Sequence, residues 1–452
     1  MEGNQTELKK PIEETLVDSF VKPKNKFLNR IIPLKLASKY WNTLGPGLTT
    51  GAADDDPSGI ATYSQTGAQY GFQLLWLALF TFPLMAVVQE MCARIGLVTG
   101  EGLAGNIKRH YGKRILYTSA LLLFVANIFN LGADLGAMAK VSQLLEPQLG
   151  FPLLVIGFAL ISLVLQIFTT YGNYARYLKY LALVLFSYVL SALVVNLNWH
   201  EILIHAVIPS IAFSKSEIFL ICGILGTTIS PYLFFWQTSQ EVEEDILKGK
   251  MTIEERQITS KADIREMRTD VWTGMFISNL VMFFIIVACA ATLYVHGITN
   301  ISTIDQAALA LRPLVGNFAF LLFTIGVIGT GMLTVPILAG SVSYAISESF
   351  GWDQGLYLKF EQAYTFYGVI ILAMLIGLGL NFVGLDPVKA LIYSAVANGI
   401  VAPIVLIMIV KISSNKTIMR EHSNGPITST IGWVTIGLMA VSGIAAIVSI
   451  FF

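Results

Sequence analysis

The sequence contains little charge, little cysteine and little histidine. Of its 452 residues, 55% are hydrophobic and 13% are charged, whereas a soluble domain usually has about 25% charged residues. The 29 basic and 29 acidic residues cancel, so the chain lacks the basic field on which nucleic-acid binding depends. Its three cysteines lie singly in apolar runs. We therefore expect small buried thiols, with neither a disulfide framework nor a cysteine zinc site.

Several other classes of protein are also not expected. The five histidines lie in or beside polar segments, and none forms the H-E-x-x-H pattern of zinc hydrolases. No pair of nucleophile and base can be assembled within the apolar runs, so an enzyme is not predicted. Residues 1–40 are polar and lysine-rich, without the apolar region and cleavage site of a signal peptide. A receptor would need a soluble output domain, and none is predicted.

Long apolar runs dominate the rest of the chain. A helix needs about 20 apolar residues to cross the hydrocarbon core of a bilayer, and eleven runs meet this length. The sequence therefore predicts an all-α polytopic membrane protein with eleven spans. The runs lie near residues 45–70, 74–97, 115–140, 151–170, 177–198, 216–238, 271–295, 316–347, 363–384, 388–411 and 429–452.

The basic residues predict an orientation for these spans. Cytoplasmic loops carry most of the Lys and Arg of a membrane protein. With the N-terminus inside, 25 of the 29 basic residues fall on the inner side. The outer side keeps four: Lys140, Lys215, Arg312 and Lys389. We expect a cytoplasmic tail over residues 1–40, a ten-helix core over 41–412, and a cytoplasmic loop with an eleventh helix over 413–452, which ends outside.

Two of the spans are interrupted. The first contains three aspartates and Pro57, and the sixth contains a polar stretch that ends at Pro231. Broken helices are tolerated in hydrocarbon only where they line a cavity or bind something. Each break falls in the first span of a group of five, and an odd number of spans inverts the second group. This pattern predicts the inverted repeat of many secondary transporters, although a pair of ordinary proline kinks would look similar.

The aspartates of the first break point to a cation. A carboxylate at the centre of a bilayer costs at least about 2.5 kcal/mol, and Asp54, Asp55 and Asp56 are consecutive. A divalent cation relieves the repulsion between them better than a proton or an organic amine. We predict that Asp56, beside Pro57, binds the ion directly, while Asp54 and Asp55 face the vestibule or a hydrated ion. A shallow helix end is the alternative for all three.

The first span resembles that of a known family. Gly45-Pro46-Gly47 followed by Asp56-Pro57-Ser58-Gly59 is similar to the first helix of the Nramp family of divalent metal transporters, whose signature there is Asp-Pro-Gly-Asn. The resemblance covers the first ten spans and implies a LeuT-like fold. Further similar segments are Ala93–Gly100, Ala133–Leu135, Asn279 and Ala339–Gly340.

The sequence departs from this family where the ion binds. The family's Met-Pro-His on the sixth helix is Ser230-Pro231-Tyr232 here, its Asn is Gly59, and its Gln on the tenth helix is Ala395. Sulfur ligands favour transition metals, whereas oxygen ligands suit hard cations. With Thr227 at the carbonyl-donating position, we expect a larger, all-oxygen site that suits the reluctantly dehydrating Mg²⁺. The pattern resembles the Nramp-related magnesium transporters, which carry Mg²⁺ and Mn²⁺.

Proton coupling is not expected either. The resemblance implies a proton pathway through a helix-six histidine and a network that joins helix three to a basic residue on helix nine. Here the histidine is Tyr232, the family's Glu one turn after Asp134 is Ala137, and residues 362–384 contain no Lys, Arg or His. Asp134 is thus a coupling candidate without an evident partner. We predict uncoupled uptake driven by the membrane potential, unless Asp134 pairs with a residue not identified in the sequence.

Some weaker candidates complete the predicted site. Gln89, Tyr232, Gln237 and Asn398 are possible contacts of the ion's hydration shell, although polar residues between membrane helices commonly serve as hydrogen-bonding partners instead. The acidic stretch after the sixth span, which begins at Glu241, is predicted to be a solvated helical linker.

The leading hypothesis is a multi-pass plasma-membrane transporter, in the simplest case of a bacterial inner membrane. It imports Mg²⁺ and Mn²⁺ by alternating access, with no cofactor, nucleic acid or obligate protein partner. A proton-coupled Mn²⁺ or Fe²⁺ transporter is the nearest alternative. A Na⁺-coupled amino-acid transporter is a more distant one, because three aspartates would repel a substrate carboxylate.

Overall fold

Every regular element among the described residues is helical in the computed structural model. The structure describes residues 44–169, 186, 189–190, 192, 197–301, 304–312, 316 and 319–451. Helices are expected for apolar runs in hydrocarbon, because a helix pairs its backbone groups within a single segment. The predicted all-α class is therefore confirmed.

The helices are numbered here in chain order. The first six are α1 (Pro46–Asp54), α2 (Pro57–Tyr70), α3 (Trp76–Thr99), α4 (Leu103–His110), α5 (Lys113–Leu145) and α6 (Phe151–Phe168). The next five are α7 (Trp199–Val207), α8 (Lys215–Thr228), α9 (Pro231–Leu247), α10 (Ile253–Arg256) and α11 (Lys261–Cys289). The last six are α12 (Ile304–Ala308), α13 (Ala319–Phe350), α14 (Tyr364–Leu380), α15 (Pro387–Ser414), α16 (Lys416–Met419) and α17 (Pro426–Phe451).

Most of the predicted spans correspond to these helices. Within the described residues, eight helical stretches are long and apolar enough to cross a membrane, and α14 is a shorter apolar helix. The first predicted span is divided into α1 and α2, and the sixth into α8 and α9. The fifth, near residues 177–198, lies largely outside the described residues. The count of eleven and the predicted domain boundaries therefore stay predictions.

The interrupted sixth span is central, and two other spans are peripheral. In their most apolar stretches, 83% of the residues of Lys215–Leu247 are buried inside the protein, against 22% in α6 and 33% in α17. Leu153 and Leu160 on α6, and Ile427 and Val441 on α17, are exposed. Exposed apolar side chains on a spanning helix are suited to lipid tails, which are as apolar as leucine. The broken helix is therefore shielded from lipid by its neighbours.

Glycines bring the other broken span into close contact with α11. A Cβ atom on Gly274 of α11 would overlap the carbonyl oxygen of Gly47 on α1. In the same way, a Cβ on Gly51 would overlap the carbonyl oxygen of Gly274. Small residues let the backbones of membrane helices approach this closely. The three glycines therefore fix the distance between α1 and α11.

The acidic stretch after the sixth span is not the solvated linker that was predicted. The helix α9 continues to Leu247, and Glu241, Glu243 and Asp245 on it are buried. Glu243 accepts hydrogen bonds from the Tyr344 hydroxyl at 2.5 Å and from the Leu356 backbone N–H at 2.7 Å. The prediction was wrong for these three residues, whereas Glu254 and Glu255 further along are exposed as predicted. For Glu243, the donors that make burial possible come from a distant part of the chain.

We expect Gly274→Ala to destabilise the protein. Overpacking a close contact typically costs about 1–3 kcal/mol, so the temperature of thermal unfolding in detergent should fall. Gly157→Ala on α6 is the matched control, since a Cβ there meets no atom within 4 Å. An unfolding temperature of Gly274→Ala equal to that of the control would contradict the proposed role of the glycine contact.

Candidate metal centre

The two helix breaks have the same local construction. At the end of α1, Asp55 has φ −87° and ψ 49°, and Asp56 is extended at φ −65° and ψ 171°. At the end of α8, Ile229 has φ −124° and ψ 62°, and Ser230 is extended at φ −85° and ψ 136°. In both cases proline is the first residue of the following helix, where its missing N–H would have had no partner in the helix.

The breaks lie against each other. The helix α1 packs against α9, and α2 packs against α8. The Tyr232 hydroxyl of α9 donates a hydrogen bond to the Ala53 carbonyl of α1 at 2.8 Å. This bond satisfies one of the carbonyl groups that the end of α1 leaves without an intrahelical partner. Two polar interruptions far apart in the chain thus form a single polar region.

Gly59 lies at the centre of this region. A Cβ atom on Gly59 would be 3.0 Å from Thr227 Oγ1, 3.2 Å from the Asp54 carbonyl oxygen and 3.4 Å from Asp56 Oδ1. A larger cavity was predicted from the lack of a side chain at this position. Three oxygen atoms converge on the space next to Gly59 in this conformation, and the size of the site stays a prediction. The first and sixth spans both contribute to the group.

The carboxylate of Asp56 is held by two different helices. Its Oδ1 accepts hydrogen bonds from the Gly59 backbone N–H at 2.6 Å and the Ser58 hydroxyl at 2.7 Å, so Asp56 is the N-cap of α2. Its Oδ2 accepts a hydrogen bond from Asn130 Nδ2 of α5 at 2.8 Å. A carboxylate oxygen accepts more than one bond, which leaves capacity for a cation at Asp56.

Asp54 and Asp55 are less fully satisfied. Asp54 Oδ2 accepts a hydrogen bond from the Ser278 hydroxyl of α11 at 2.7 Å. Asp54 Oδ1 and both carboxylate oxygens of Asp55 have no hydrogen-bond partner, and both residues are 0% exposed. In the described part of the chain, no three side chains of His, Cys, Asp or Glu form a group that could hold a metal ion. The three carboxylates are thus adjacent in sequence and differ in their partners.

Two hydroxyl groups from the sixth span complete the break. Ser230 Oγ donates to the Gly226 carbonyl at 2.6 Å and to the Thr227 carbonyl at 2.8 Å. Its hydrogen is therefore directed into α8, while its oxygen lone pairs remain available. Thr227 Oγ1 is buried without a hydrogen-bond partner. A carbonyl oxygen has two lone pairs, so the Thr227 carbonyl keeps one beyond its bond to Ser230.

The coupling candidate Asp134 has a neutral partner. Asn130 Nδ2 donates to Asp134 Oδ2 at 3.3 Å, and Asn398 Nδ2 donates to Asn130 Oδ1 at 3.4 Å. Asp134 and Asn398 are therefore connected to Asp56 through Asn130. Asn130 was not among the predicted site residues, although it precedes Asp134 by four residues and so shares its helix face. Ser278, the donor to Asp54, was not among them either.

Gln237 and Gln89, the remaining predicted site residues, form no hydrogen bond with the residues of the two breaks. Gln237 Nε2 donates to Glu241 Oε1 at 2.8 Å, one turn further along α9. The side-chain oxygen and nitrogen of Gln89 are both buried without a partner. Binding of the hydration shell by these residues stays a prediction, as does metal binding by the whole set.

The carboxylates of the site are not paired with basic side chains. Asp54, Asp55, Asp56 and Asp134 are all at most 1% exposed. None of them belongs to an ion pair between residues that the structure describes. Buried acids are stable in a membrane only with a partner or a cation. The electrostatics of this region therefore favour a positively charged guest.

The site is closed in this conformation. At the start of α1, the Asp270 carboxylate of α11 accepts hydrogen bonds from the N–H groups of Gly45, Gly47 and Leu48 at 2.8, 2.6 and 3.1 Å. At the far end of α2, the Tyr70 hydroxyl lies 2.7 Å from Ser216 Oγ. Both half-helices are thus tethered at their outer ends. Because the aspartates are buried, an ion reaches them only after a change of conformation.

A cavity of about 540 Å³ lies at the other end of α9. The sequence analysis did not predict it. Both signs of charge line it, among them Glu101, Lys108, Arg109, Glu243, Arg256 and Glu348. Burial raises the pKa of Glu101, although Arg109 Nη2 lies 2.6 Å from its carboxylate. The cavity is lined from α4, α9, α10 and the end of α13, and no residue of the two breaks contributes to it.

The fold and the paired breaks place this protein in the class of all-helical membrane proteins with a LeuT-like fold. The manganese transporter of Eremococcus coleocola has a similar structure, with a TM-score of 0.68 at 17% identity over 93% of this chain and 87% of that one. The nucleobase-cation-symport-1 transporter Mhp1 is also similar, with a TM-score of 0.52 at 18% identity over 90% and 91%.

The sequence comparison identifies the family. The family model described as natural resistance-associated macrophage protein-like, or Nramp, matches residues 47–449. The chain therefore belongs to the Nramp family, and it is a metal transporter rather than an enzyme. The divalent metal cation transporter MntH of Klebsiella pneumoniae is 26% identical over 411 residues, which cover 88% of this chain and 91% of that protein. The predicted family and fold are thus confirmed.

We expect Tyr232→Phe to reduce stability, because it removes the hydrogen bond to the Ala53 carbonyl. One such hydrogen bond contributes about 0.5–1.5 kcal/mol, and the Ala53 carbonyl keeps a longer hydrogen bond of 3.5 Å from Thr334 Oγ1. Thermal unfolding in detergent would measure the loss. Tyr393→Phe is the control, since Tyr393 is 48% exposed. If both variants unfolded at the same temperature, the bond between the two breaks would not contribute to stability.

Proposed function

We propose that the chain imports Mg²⁺ and Mn²⁺ across the plasma membrane by alternating access, without coupling to protons. Asp56 is the anchoring ligand in this proposal. Thr227 and Ser230 supply oxygens from the second break, the Asp54 carbonyl lies beside them, and Asp55 acts on the ion or on its hydration water. Gly59 takes part by allowing these oxygens to approach one another.

The observation that carries this proposal is the group of oxygens around Gly59. Thr227 Oγ1, the Asp54 carbonyl and Asp56 Oδ1 all lie within 3.4 Å of the position of a Cβ atom there. Carboxylate, hydroxyl and carbonyl oxygens are the ligands of Mg²⁺ and Mn²⁺. The side chain before Pro231 is the hydroxyl of Ser230, where a thioether would favour softer metals. This chemistry supports assignment to the magnesium-carrying branch.

The relatives support a divalent cation as the substrate. The Klebsiella relative is named as a divalent metal cation transporter, and the similar Eremococcus structure is that of a manganese transporter. Mn²⁺ accepts the same oxygen ligands as Mg²⁺. We therefore include Mn²⁺ with Mg²⁺, and we assign the chain to a bacterial inner membrane with its N-terminus inside.

The absence of proton coupling is inferred from the surroundings of Asp134. Its hydrogen-bond donor is the neutral amide of Asn130 at 3.3 Å, and α14 contains no Lys, Arg or His. No histidine from the described helices donates or accepts a hydrogen bond at the breaks. The rival proposal is a proton-coupled Mn²⁺ transporter in which Ser230 replaces a thioether without changing selectivity. Acidification during transport separates the two.

We expect Asp56→Ala to abolish the uptake of Mg²⁺ and Mn²⁺ by proteoliposomes that contain the purified protein and an ion-sensitive dye. The variant loses a ligand and also an N-cap. Asp386→Ala is the matched control, because exposed Asp386 caps α15 by accepting a hydrogen bond from the Lys389 N–H at 3.1 Å. Retained uptake by Asp56→Ala, or equal losses in both variants, would refute the role of Asp56 as a ligand.

A second expectation concerns protons. With a potassium gradient and valinomycin to set a negative interior, Mg²⁺ should enter without acidifying a pH probe inside the liposomes. Each entering Mg²⁺ then carries two charges, so uptake should rise steeply with the potential. Entry of Mn²⁺ alone, accompanied by acidification that depends on the metal, would favour the proton-coupled rival.

A further inference from the structure

A single amide connects the two acidic positions of the site. Asn130 Nδ2 donates to Asp56 Oδ2 at 2.8 Å and to Asp134 Oδ2 at 3.3 Å. Its Oδ1 accepts a hydrogen bond from Asn398 Nδ2 of α15 at 3.4 Å. All four side chains are at most 1% exposed. The network joins the cap of α2, the helix α5 and the helix α15.

The network holds one of the two oxygen atoms of the Asp56 carboxylate. Oδ1 is held by its own helix, through Ser58 and Gly59. Oδ2 is held from outside that helix, by Asn130. Donors on both oxygens, two on Oδ1 and one on Oδ2, fix the rotation of the carboxylate plane. Without the outer donor, the plane would be free to turn about the bond that joins the carboxylate to its Cβ.

The donor to Asp56 at position 130 is a neutral amide, and this lack of charge is important for binding a cation. A lysine or arginine at position 130 would form an ion pair with Asp56 and would repel an approaching divalent ion, strongly so in a region of low dielectric constant. A neutral amide orients the carboxylate while leaving its charge in place. Asn130 and Asp134 are one turn apart on α5, a spacing that places both on the same face of the helix.

From these contacts, we propose that Asn130 is a positioning residue for the transported cation. It sets the plane of the Asp56 carboxylate without neutralising it, and Asn398 supports it from α15. The alternative is that Asn130 only ties α2 to α5 and α15. This inference depends on the proposed function, since it takes Asp56 to be a ligand.

The test compares Asn130→Leu with Asn127→Leu. Asn127 lies on the same helix, is equally buried and donates to the Leu338 carbonyl at 3.2 Å. Both variants therefore lose one buried amide from α5. Initial rates of Mg²⁺ and Mn²⁺ uptake into proteoliposomes give kcat and KM, and calorimetric titration of the detergent-purified protein with MgCl₂ and with MnCl₂ gives the dissociation constants. Thermal unfolding reports the structural loss in each.

We expect Asn130→Leu to raise KM and the dissociation constant for both ions by about tenfold or more, equivalent to about 1.4 kcal/mol. The kcat should change less than KM. Asn127→Leu should show a comparable loss of thermal stability with KM unchanged. Asn130→Gln keeps an amide donor and should recover part of the affinity.

The inference would be overturned if the two leucine variants shared the same KM, or if Asn130→Leu lowered only kcat. Should either leucine variant fail to fold, Asn130→Ser and Asn127→Ser test the same point, because a short hydroxyl does not span both acids. If the wild-type protein carries neither ion, the proposed function fails. If the wild type carries them and the variants at positions 130 and 127 behave alike, only the inference about Asn130 fails.

Discussion

The need to satisfy backbone polar groups away from water determines how the two broken helices are arranged. Where α1 and α8 end, carbonyl groups lose their intrahelical partners, and where α2 and α9 begin, N–H groups do the same. Such groups cost several kcal/mol each if left alone in hydrocarbon. Here Tyr232 donates to the Ala53 carbonyl, Ser230 donates to two carbonyls of α8, and Asp56 accepts from the Gly59 N–H. Of these residues, Asp56 and Ser230 are also among those that we propose to bind the ion.

The same region contains four buried acidic side chains, and none of them forms an ion pair with a residue that the structure describes. Hydroxyl and amide groups from Ser58, Ser278 and Asn130 orient the carboxylates without removing their charge. This arrangement differs from the one around Glu90, which pairs with Arg268 at 2.8 Å and with Arg94 at 3.5 Å. Glu90 thus has basic partners, whereas the acids at the breaks have neutral ones. The difference is what a site for a mobile cation requires, since an internal cation would compete with the substrate.

Closure of the site has a related physical basis. The Asp270 carboxylate accepts three backbone N–H groups at the start of α1, and the glycines of α1 and α11 bring the two backbones together. At the other side, the Tyr70 hydroxyl lies 2.7 Å from Ser216 Oγ, and Gln73, just after the first span, donates a hydrogen bond to Glu217 at 2.9 Å. Each half of the broken helix is therefore tethered separately. Because the halves are tethered separately, this arrangement is compatible with the alternating access that we propose.

The sequence by itself determined the class of fold, most of the spans, the two breaks and the family. These features depend on hydropathy, proline positions and a local motif, all of which are properties of short segments. Only the tertiary structure decided which groups meet. Asn130, Ser278 and Asp270 reach the first span from α5 and α11, and the burial of Glu243 depends on donors at positions 344 and 356. Hydrogen-bond partners that come from distant segments leave no periodic signal in a single sequence, because they depend on how helices pack. The convergence of oxygens at Gly59 is likewise a product of packing, since it unites two breaks that lie far apart in the chain.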